Sequence, residues 1–364
     1  MIISTFDKYK RFDTLDGARG VASIAVMIYH YTQHNGLHWM EGAWVSVDMF
    51  FILSGFVIAH SYGAKIIGGM TFIEFTAIRL IRLGPLYFFG LGLGICAAVI
   101  LIQTNATIQI DGMKIVKAAM LGLFWVPYRN WASWPFGTDV ITASVFPLND
   151  PAWSLFFELF VNVVFFLFVS RFRVLSSPWL VTLAFVVFVF CTLVLGQHNP
   201  GWGVQNFIYG FPRVIAEFFF GALIYSLSLH KLKIPGGIVI VIATVSLLGF
   251  FASQSTMQLL NSLEFIPLSI ILLATLQTSG AISSICRTLG NLSYPLYILH
   301  FPIYRLCFEL LGGKFLDPII QTLLFGFIAI GTSFLVSIFD VSLRKSLITR
   351  FSNRMALRFE DKMS

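Results

Sequence analysis

The chain has 364 residues, of which 57% are hydrophobic and 11% are charged, and its mean hydropathy is +0.84. A soluble globular domain carries about 25% charged residues, so this composition excludes a soluble protein and indicates a polytopic membrane protein. The formal net charge is +7, and the Lys and Arg residues lie mostly between the apolar runs. Because this placement is typical of membrane topology, the positive charge does not indicate nucleic-acid binding, and we expect no nucleic-acid partner.

Ten apolar runs approach or exceed the ~20 residues that a membrane-spanning helix needs. A weaker run at 115–126 is short enough to be interfacial or re-entrant rather than an eleventh span. The predicted fold is an all-α polytopic membrane protein of about ten transmembrane helices, with a membrane-embedded domain at 11–340 and a basic cytoplasmic tail at 341–364. The ten runs cover residues 15–34, 43–64, 84–104, 151–170, 178–196, 210–229, 234–252, 259–278, 290–311 and 317–341.

The distribution of lysine and arginine between these runs predicts the orientation of the chain. If the N-terminus is cytoplasmic, most loop and terminal basic residues are cytoplasmic too, as the positive-inside rule requires. We therefore expect both termini in the cytoplasm, and an even number of spans agrees with this. The cytoplasmic set includes the tail residues Arg344, Lys345, Arg350, Arg354, Arg358 and Lys362, whereas Lys114, Lys117, Arg129 and Lys314 lie outside.

The first run carries two ionisable residues, Arg19 and His30, in an otherwise apolar sequence. They share one face of a helix and lie roughly 16 Å apart along its axis. An arginine in hydrocarbon costs at least ~2.5 kcal/mol, so this pair indicates a polar interior cavity. The alternative is that His30 hydrogen-bonds a neighbouring helix and Arg19 extends to the cytoplasmic headgroups.

The second and third runs add small and basic residues. Ser54-Gly55 lies near mid-membrane and predicts either close helix packing or a kink beside His30. Arg79 and Arg82 lie on one face of a short helix that we expect to end before Pro85, and their guanidiniums suit a phosphate. Generic cytoplasmic positive charge would also place basic residues there.

Later runs contain further polar residues. Trp153 and Glu158 enter the fourth run from the outer side, whereas Arg213 and Glu217 in the sixth run have the i, i+4 spacing of a pair. Before the fourth run, an outer loop carries residues that suit either a sugar or the membrane interface. These loop residues are Trp125, Tyr128, Arg129, Trp131, Trp134 and Asp139.

The ninth run is broken by Pro295 and Pro302 and places His300 in its outer half. By depth, Arg19, Arg79 and Arg82 fall at the inner side of the membrane. The ionisable residues thus predict a basic cytoplasmic mouth joined to an acid-base chamber near the outer face. The residues assigned to the outer half are His30, Asp48, Glu158, Arg213, Glu217, His300 and Arg305.

Six sequence features follow one another along the chain. They are Arg19 with His30, MFFILSGF at 49–56, RLIRLGPLY at 79–87, WSLFFE at 153–158, PRVIAEFFFGALIY at 212–225 and NLSYPLYILHFP at 291–302. This ordered set resembles the acyltransferase family 3 of membrane-bound O-acyltransferases. The resemblance covers residues 12–339, nearly the whole chain.

The resemblance implies an enzyme of the bacterial inner membrane that transfers an acyl group, usually acetyl, from cytoplasmic acyl-coenzyme A to a carbohydrate hydroxyl. The carbohydrate would be a surface or exported polysaccharide or its lipid-linked precursor. It also implies His30 as the catalytic histidine, Arg19 as its basic partner, and Arg79 and Arg82 as the pair that binds the coenzyme. We place Ser54 on the coenzyme side and expect no metal.

The residues support these roles independently of the resemblance. Arg79 and Arg82 can hold the phosphates of the coenzyme while its thin arm reaches on the order of 15 Å into a polar passage. Neutral His30 can then take the proton of the acceptor hydroxyl, with Asp48 or Glu158 holding the imidazole tautomer. An acyl-histidine intermediate and direct transfer both remain open. We expect the acceptor side to include Arg213, Glu217, His300 and Trp153.

The competing interpretation is a transporter or flippase of a glycan or a small anionic metabolite. Many secondary transporters also combine about ten spans with buried ionisable residues. A transporter of this kind is expected to contain an inverted repeat, with matching broken spans in the two halves, and the sequence shows none. The ordered motifs therefore favour the enzyme.

Overall fold

The structure is a computed structural model that describes residues 11–104, 112–128, 134–136, 138–142, 144–196, 199–252 and 261–360. Its helices are α1 Asp13–His34, α2 Ser46–Ile67, α3 Phe72–Thr104, α4 Gly112–Leu123, α5 Ala152–Phe172, α6 Pro178–Leu193, α7 Gly210–Ser226, α8 Gly236–Leu248, α9 Ile266–Thr275, α10 Gly280–Leu310 and α11 Pro318–Glu360. A π-helical turn at Asn261–Phe265 precedes α9. Strands β1 Trp134–Phe136 and β2 Thr138–Thr142 pair as a small antiparallel hairpin. The fold is therefore predominantly helical, as predicted.

Each of the ten predicted runs overlaps one helix. By length and composition, five described segments are apolar enough to cross a membrane, and α6, α8 and α9 lie within shorter apolar segments. Of the helices that overlap the ten predicted runs, the remaining two are α1 and α10, which carry Arg19, His30 and His300. The number of spans and the side of the termini stay predictions. The five segments are Glu41–Ile67, Phe72–Thr104, Ala152–Phe172, Phe207–Ser226 and Pro318–Phe351.

Two expectations about prolines were wrong. The short helix expected to end before Pro85 is part of α3, which continues through the proline for 33 residues. Likewise, α10 is continuous through Pro295 and Pro302. A proline deprives a carbonyl of its partner, and a membrane helix tolerates this where neighbouring groups compensate. Near Pro85, α3 is also held to α10, because the Tyr294 hydroxyl donates to the Leu83 carbonyl at 2.5 Å.

α1 and α10 pack along their lengths and run in the same direction. In their first halves, Gly20 lies so near Leu289 that an added Cβ would be 2.5 Å from the Leu289 Cβ. Near their far ends, the Tyr31 hydroxyl donates to the His300 carbonyl at 2.7 Å. A small residue thus lets the two backbones approach closely, as is common between membrane helices.

α2 and α7 form a second close pair. A Cβ on Gly55 would overlap the carbonyl oxygen of Phe218, and a Cβ on Gly221 would overlap that of Ile52. α2 is a continuous helix through Ser54-Gly55. The structure therefore favours close packing, the first of the two interpretations of this dipeptide.

We expect Gly55→Ala to lower the free energy of unfolding by ~1 to 3 kcal/mol, since the overlapped neighbour is backbone and cannot rotate away. Thermal unfolding of the purified protein in detergent measures the effect. Gly92→Ala is the matched control, because a Cβ on Gly92 would have no neighbour within 4 Å. An unchanged unfolding temperature in Gly55→Ala would contradict the close approach of α2 and α7.

The weaker run at 115–126 forms α4, a helix of 12 residues. Such a helix is about 18 Å long and cannot cross a hydrocarbon core of ~30 Å by itself. The Tyr87 hydroxyl donates to the Gly122 carbonyl at 2.6 Å, and Trp125 stacks on the Tyr87 ring. α4 is thus held against α3. Of the outer-loop residues singled out above, Arg129, Trp131 and the side chains of Trp134 and Asp139 lie outside the described residues.

Candidate functional site

A cavity of about 820 Å³ lies among α1, α2, α3, α5 and α10. The three arginines assigned to the cytoplasmic mouth, Arg19, Arg79 and Arg82, all line it. Ser54 and Glu158 line it as well. The structure therefore brings together, in one cavity, residues that the sequence places on four different runs or connections.

The Arg19 guanidinium is held mainly by α10. Its Nε donates to the Ser293 hydroxyl at 2.8 Å, and its Nη2 donates to the Gly290 carbonyl at 3.1 Å. Nη2 also donates to the Asp16 carboxylate at 2.9 Å. These contacts fix the orientation of Arg19 while leaving 26% of its side chain exposed.

Arg79 is paired with Glu158. Arg79 Nη2 donates to Glu158 Oε1 at 2.6 Å, and the Ser54 hydroxyl donates to the same oxygen at 3.2 Å. The sequence placed Glu158 near the outer chamber, but its contacts place it in this cavity. Arg79 lies about 10 Å from the start of α3, and Glu158 lies about 10 Å from the start of α5. Because α3 and α5 run in opposite directions, the two long side chains meet between these positions.

Arg82 has a different environment. Within the described part of the chain, its guanidinium forms neither a hydrogen bond nor an ion pair, and its electrostatic neighbours include Arg19 and Arg79. Asp340 of α11 is the nearby opposite charge, but it already pairs with Arg344 at 2.7 Å. Because Asp16 and Glu158 balance the other two arginines, Arg82 gives the cavity an excess positive charge.

His30 lies near the other end of α1 and contacts His300. Its Nδ1 is 2.9 Å from His300 Nε2, and the two rings stack with their centroids 5.0 Å apart. The fully buried His300 has its Nδ1 3.1 Å from the Leu296 carbonyl. That carbonyl can only accept, so His300 Nδ1 carries the proton and His300 Nε2 accepts one from His30 Nδ1.

This assignment leaves Nε2 of a neutral His30 without a proton. An imidazole whose Nδ1–H is engaged presents its Nε2 lone pair as a base. The pair can therefore accept a proton at one defined atom. Tyr31 helps to hold His300 in place, because its hydroxyl donates to the backbone carbonyl of His300.

The carboxylate of Asp48 faces Arg213 rather than His30. It accepts from Arg213 Nε at 2.6 Å and from the Ser262 hydroxyl at 2.5 Å. Asp48 and Arg213 are both fully buried, so their pairing satisfies two charges inside the protein.

Two further predicted residues, Glu217 and Trp153, lie at the same cluster. Glu217 Oε1 is 3.6 Å from Arg213 Nε, and the Arg213 guanidinium carbon lies 5.7 Å from the centre of the Trp153 ring. The i, i+4 pairing of Arg213 with Glu217 is therefore present, with Asp48 as an additional and closer partner. The structure brings these four residues together but does not bring them to His30.

Tyr297 lies between the cavity and the histidine pair. It lines the cavity, and its ring centre is 6.2 Å from that of His300. Its hydroxyl is 2.8 Å from the Ser154 hydroxyl, and the ring packs edge-on against Phe50. His30 does not line the cavity. The cavity lining thus extends from Arg19 to Tyr297, whose ring contacts His300.

Sequence reasoning missed the part of α10 that joins the two ends of the site. Ser293, Tyr297 and His300 follow one another at spacings of four and three residues, which places them on one helix face. Projecting the motif NLSYPLYILHFP onto a helix from His300 would have identified this face.

A second missed residue is Asp150, in the loop before α5. Burial raises the pKa of its carboxyl to about 6, although a hydrogen bond with Ser144 and the nearby charge of Arg305 act in the opposite direction. Arg305 itself donates to the Pro147 carbonyl at 2.8 Å. The end of the bundle that contains His300 thus carries a carboxyl whose pKa is raised by burial.

Comparison with known proteins gives the following matches. A family model described as an acyltransferase domain matches residues 12–339. "Protein 2 in picA locus" of Rhizobium radiobacter is 38% identical over 164 residues, which are 43% of this chain and 81% of that protein. "Exopolysaccharide production protein ExoZ" of Rhizobium meliloti is 26% identical over 282 residues, 75% of this chain and 80% of that protein.

A third relative differs in length. "Putative peptidoglycan O-acetyltransferase YrhL" of Bacillus subtilis is 23% identical over 317 residues, which are 79% of this chain and 48% of that protein. No solved structure matches the chain.

Proposed function

Because the chain belongs to the acyltransferase family whose domain model matches residues 12–339, we propose that it transfers an acetyl group from cytoplasmic acetyl-coenzyme A to a hydroxyl of an envelope carbohydrate. Membrane acyl transfer follows from the family and from the apolar helices. The donor, the acceptor and a location in the bacterial inner membrane are our proposal. Relatives named for exopolysaccharide production and peptidoglycan O-acetylation support a carbohydrate acceptor.

The observation that carries the proposal is the separation of charge from base along α1 and α10. Three arginines line a cavity at one end, and a histidine with a defined free nitrogen lies at the other. Coenzyme A needs the first for its phosphates, since charge-assisted bonds from guanidinium groups suit phosphate oxygens. Acyl transfer to a hydroxyl needs the second as a general base.

In the proposed reaction, the acceptor hydroxyl attacks the thioester carbonyl while His30 Nε2 takes its proton. The carbon–sulfur bond then breaks, and the proton passes from His30 to the departing thiolate, which leaves as free coenzyme A. The acceptor keeps the acetyl group as an ester. His300 acts as a positioning residue, because its Nε2 accepts from His30 Nδ1 and so maintains the reactive tautomer.

In the proposed reaction the acyl arm passes Tyr297 on its way from the cavity to His30. We propose that the Tyr297 side chain rotates away from Ser154 when the acyl arm enters, which widens the route toward the histidines. The hydroxyl contacts to be broken are one with the Ser154 hydroxyl, at 2.8 Å, and a longer one to the Pro151 carbonyl, at 3.5 Å. Each such bond contributes only about 1 kcal/mol net, so the arm can displace them.

Glu158, which the sequence suggested as a partner of His30, has a different role in the proposed mechanism. It holds Arg79 in the cavity and offsets its charge, so we propose that it positions the donor site. Arg213, Asp48 and Glu217 form a buried link between α2 and α7, and we place this link beside the acceptor rather than at the reacting atoms.

We expect His300→Phe to lower kcat by ~10- to 100-fold with little change in the KM for acetyl-coenzyme A, because His30 would lose the acceptor that fixes its tautomer. His300→Gln should recover part of the activity, since its amide oxygen can accept from His30 Nδ1. Steady-state kinetics of the two variants measures this. Equal losses in both variants would contradict the role of His300 as the hydrogen-bond acceptor that orients His30.

The O-acetyl content of envelope polysaccharide tests the proposed function in the cell. Deletion of the gene should abolish O-acetylation of one glycan, and wild-type protein should restore it while His30→Ala should not. Unchanged O-acetyl content in every extracted glycan of the deletion strain would contradict a carbohydrate acceptor. The transporter alternative is not favoured, since the family is one of acyltransferases.

A further inference from the structure

A second cavity, of about 870 Å³, lies where the α5–α6 connection meets the end of α7. It shares no lining residue with the cavity of Arg82. Its polar wall includes Arg173, Ser176, Ser228 and Lys231, and no carboxylate lines it. Both connections that form it belong to the side of the protein predicted to be cytoplasmic.

The two cations have capacity for a ligand. Arg173 Nη1 donates to the Ile67 carbonyl at 2.6 Å, which holds the side chain in place and leaves its other N–H groups available. The Lys231 ammonium is exposed and forms no ion pair within the described ranges. A cavity with two cations and no lining carboxylate favours an anion.

An apolar cleft of about 1050 Å³ lies between α6, α7 and the segment that begins α9. Along α6 it extends from Val181 to Phe190, roughly 14 Å. This length is about half of a ~30 Å hydrocarbon core, the depth of one leaflet. Phe220 of α7 and Pro267 of α9 form the other walls.

The cationic cavity and the apolar cleft adjoin each other. The Ser176 hydroxyl, in the wall of the cavity, donates to the Phe219 carbonyl at 2.8 Å. The next residue, Phe220, lines the cleft. The cations therefore lie at the end of the cleft that the sequence places near the cytoplasmic surface.

We propose that the cavity and the cleft together bind one phospholipid of the cytoplasmic leaflet with an anionic headgroup. Arg173 and Lys231 bind its phosphate and headgroup charge, and one acyl chain lies in the cleft between α6 and α7. Basic pockets between membrane helices on the cytoplasmic side recognise anionic headgroups in this way. A free phosphate would use the cations but would leave the apolar cleft without an occupant.

Native mass spectrometry of the purified full-length protein in detergent tests the proposal. The probes are dioleoyl phosphatidylglycerol, dioleoyl phosphatidylcholine and the chain-free glycerol 3-phosphate. One phosphatidylglycerol should bind saturably and more tightly than the other two. Lys231→Ala should weaken it about fivefold, the usual effect of one basic residue near an anionic headgroup. Lys233→Ala, an exposed lysine outside the cavity, should leave it unchanged.

A second pair of variants tests the cleft. Val189→Trp fills it and should weaken phosphatidylglycerol binding, whereas Leu183→Trp, on the exposed side of the same helix, should not. Equal affinity for the two lipids, or equal losses in the Lys231 and Lys233 variants, would overturn the proposal. Glycerol 3-phosphate binding as tight as phosphatidylglycerol would show a phosphate site without a role for the acyl chain, and would overturn it too. None of these readouts depends on acyl transfer.

Discussion

His30→Ala is expected to lower kcat by ~10²- to 10⁴-fold while the protein still inserts and folds. The side chain is half-buried and its only hydrogen-bonded side-chain partner in the described structure is His300, so its loss removes a base without leaving a buried charge. The KM for acetyl-coenzyme A should change little, because the arginines that we propose as the phosphate site stay in place. Transfer of labelled acetyl by the purified variant measures the effect.

His38→Ala is the control for this experiment. His38 is an exposed histidine that follows α1, eight residues after His30, and it pairs with Glu41 at 3.1 Å. It should keep wild-type activity. Full activity in His30→Ala would show that another group is the base, and the proposed mechanism would be wrong.

Arg82→Ala should raise the KM for acetyl-coenzyme A about ten- to a hundredfold, with a smaller change in kcat. Arg82 is the cavity arginine whose guanidinium has no ion-pair partner in the described ranges, so its charge is available to a phosphate. One charge-assisted contact contributes ~1.5 to 3 kcal/mol, and a contact made equally in the ground and transition states appears in KM. Initial-rate kinetics at varied donor concentration measures both constants.

The double variant Arg79→Ala/Glu158→Gln provides the matched control for Arg82→Ala. It removes the 2.6 Å ion pair without changing the net charge of the cavity, so its KM should rise less than that of Arg82→Ala. A donor without the 3′-phosphate should reduce the defect of Arg82→Ala if that phosphate is its partner. If Arg82→Ala discriminates between the two donors as well as wild type does, Arg82 does not bind the 3′-phosphate.

The spacing of residues within one helix could be predicted from the sequence. Arg19 and His30 do lie on one face of α1, because the geometry of a helix fixes the angle between them, and both contact α10. The predicted alternation of spans places Arg19, Arg79 and Arg82 on one side of the membrane, and all three line the same cavity. The match to an acyltransferase domain over residues 12–339 agrees with the resemblance seen in the motifs.

Partners on different helices could not be predicted in the same way. Glu158 binds Arg79, and Asp48 binds Arg213, although the sequence suggested His30 for either carboxylate. The sequence gives the depth of a residue only relative to the end of its apolar run, and the predicted end is uncertain by two to four residues, or ~3 to 6 Å along the helix. A shift of this size changes which neighbouring helix a carboxylate can reach.

Proline provided the other source of error. Pro85 suggested a helix end, and Pro295 and Pro302 suggested a broken helix, because proline removes a backbone donor. In α3 and α10 the helix continues. A membrane helix tolerates a proline where groups of neighbouring helices compensate, and the local sequence around Pro85 does not show which helices lie beside it.

The most direct measurement of the central claim is acetyl transfer by purified protein in lipid vesicles, supplied with acetyl-labelled coenzyme A and a polysaccharide extracted from the deletion strain. The account predicts that label enters the polysaccharide as an ester in equal amount to the coenzyme A released, and that His30→Ala abolishes both. Movement of the glycan across the vesicle membrane with no release of coenzyme A and no acetyl ester would contradict it.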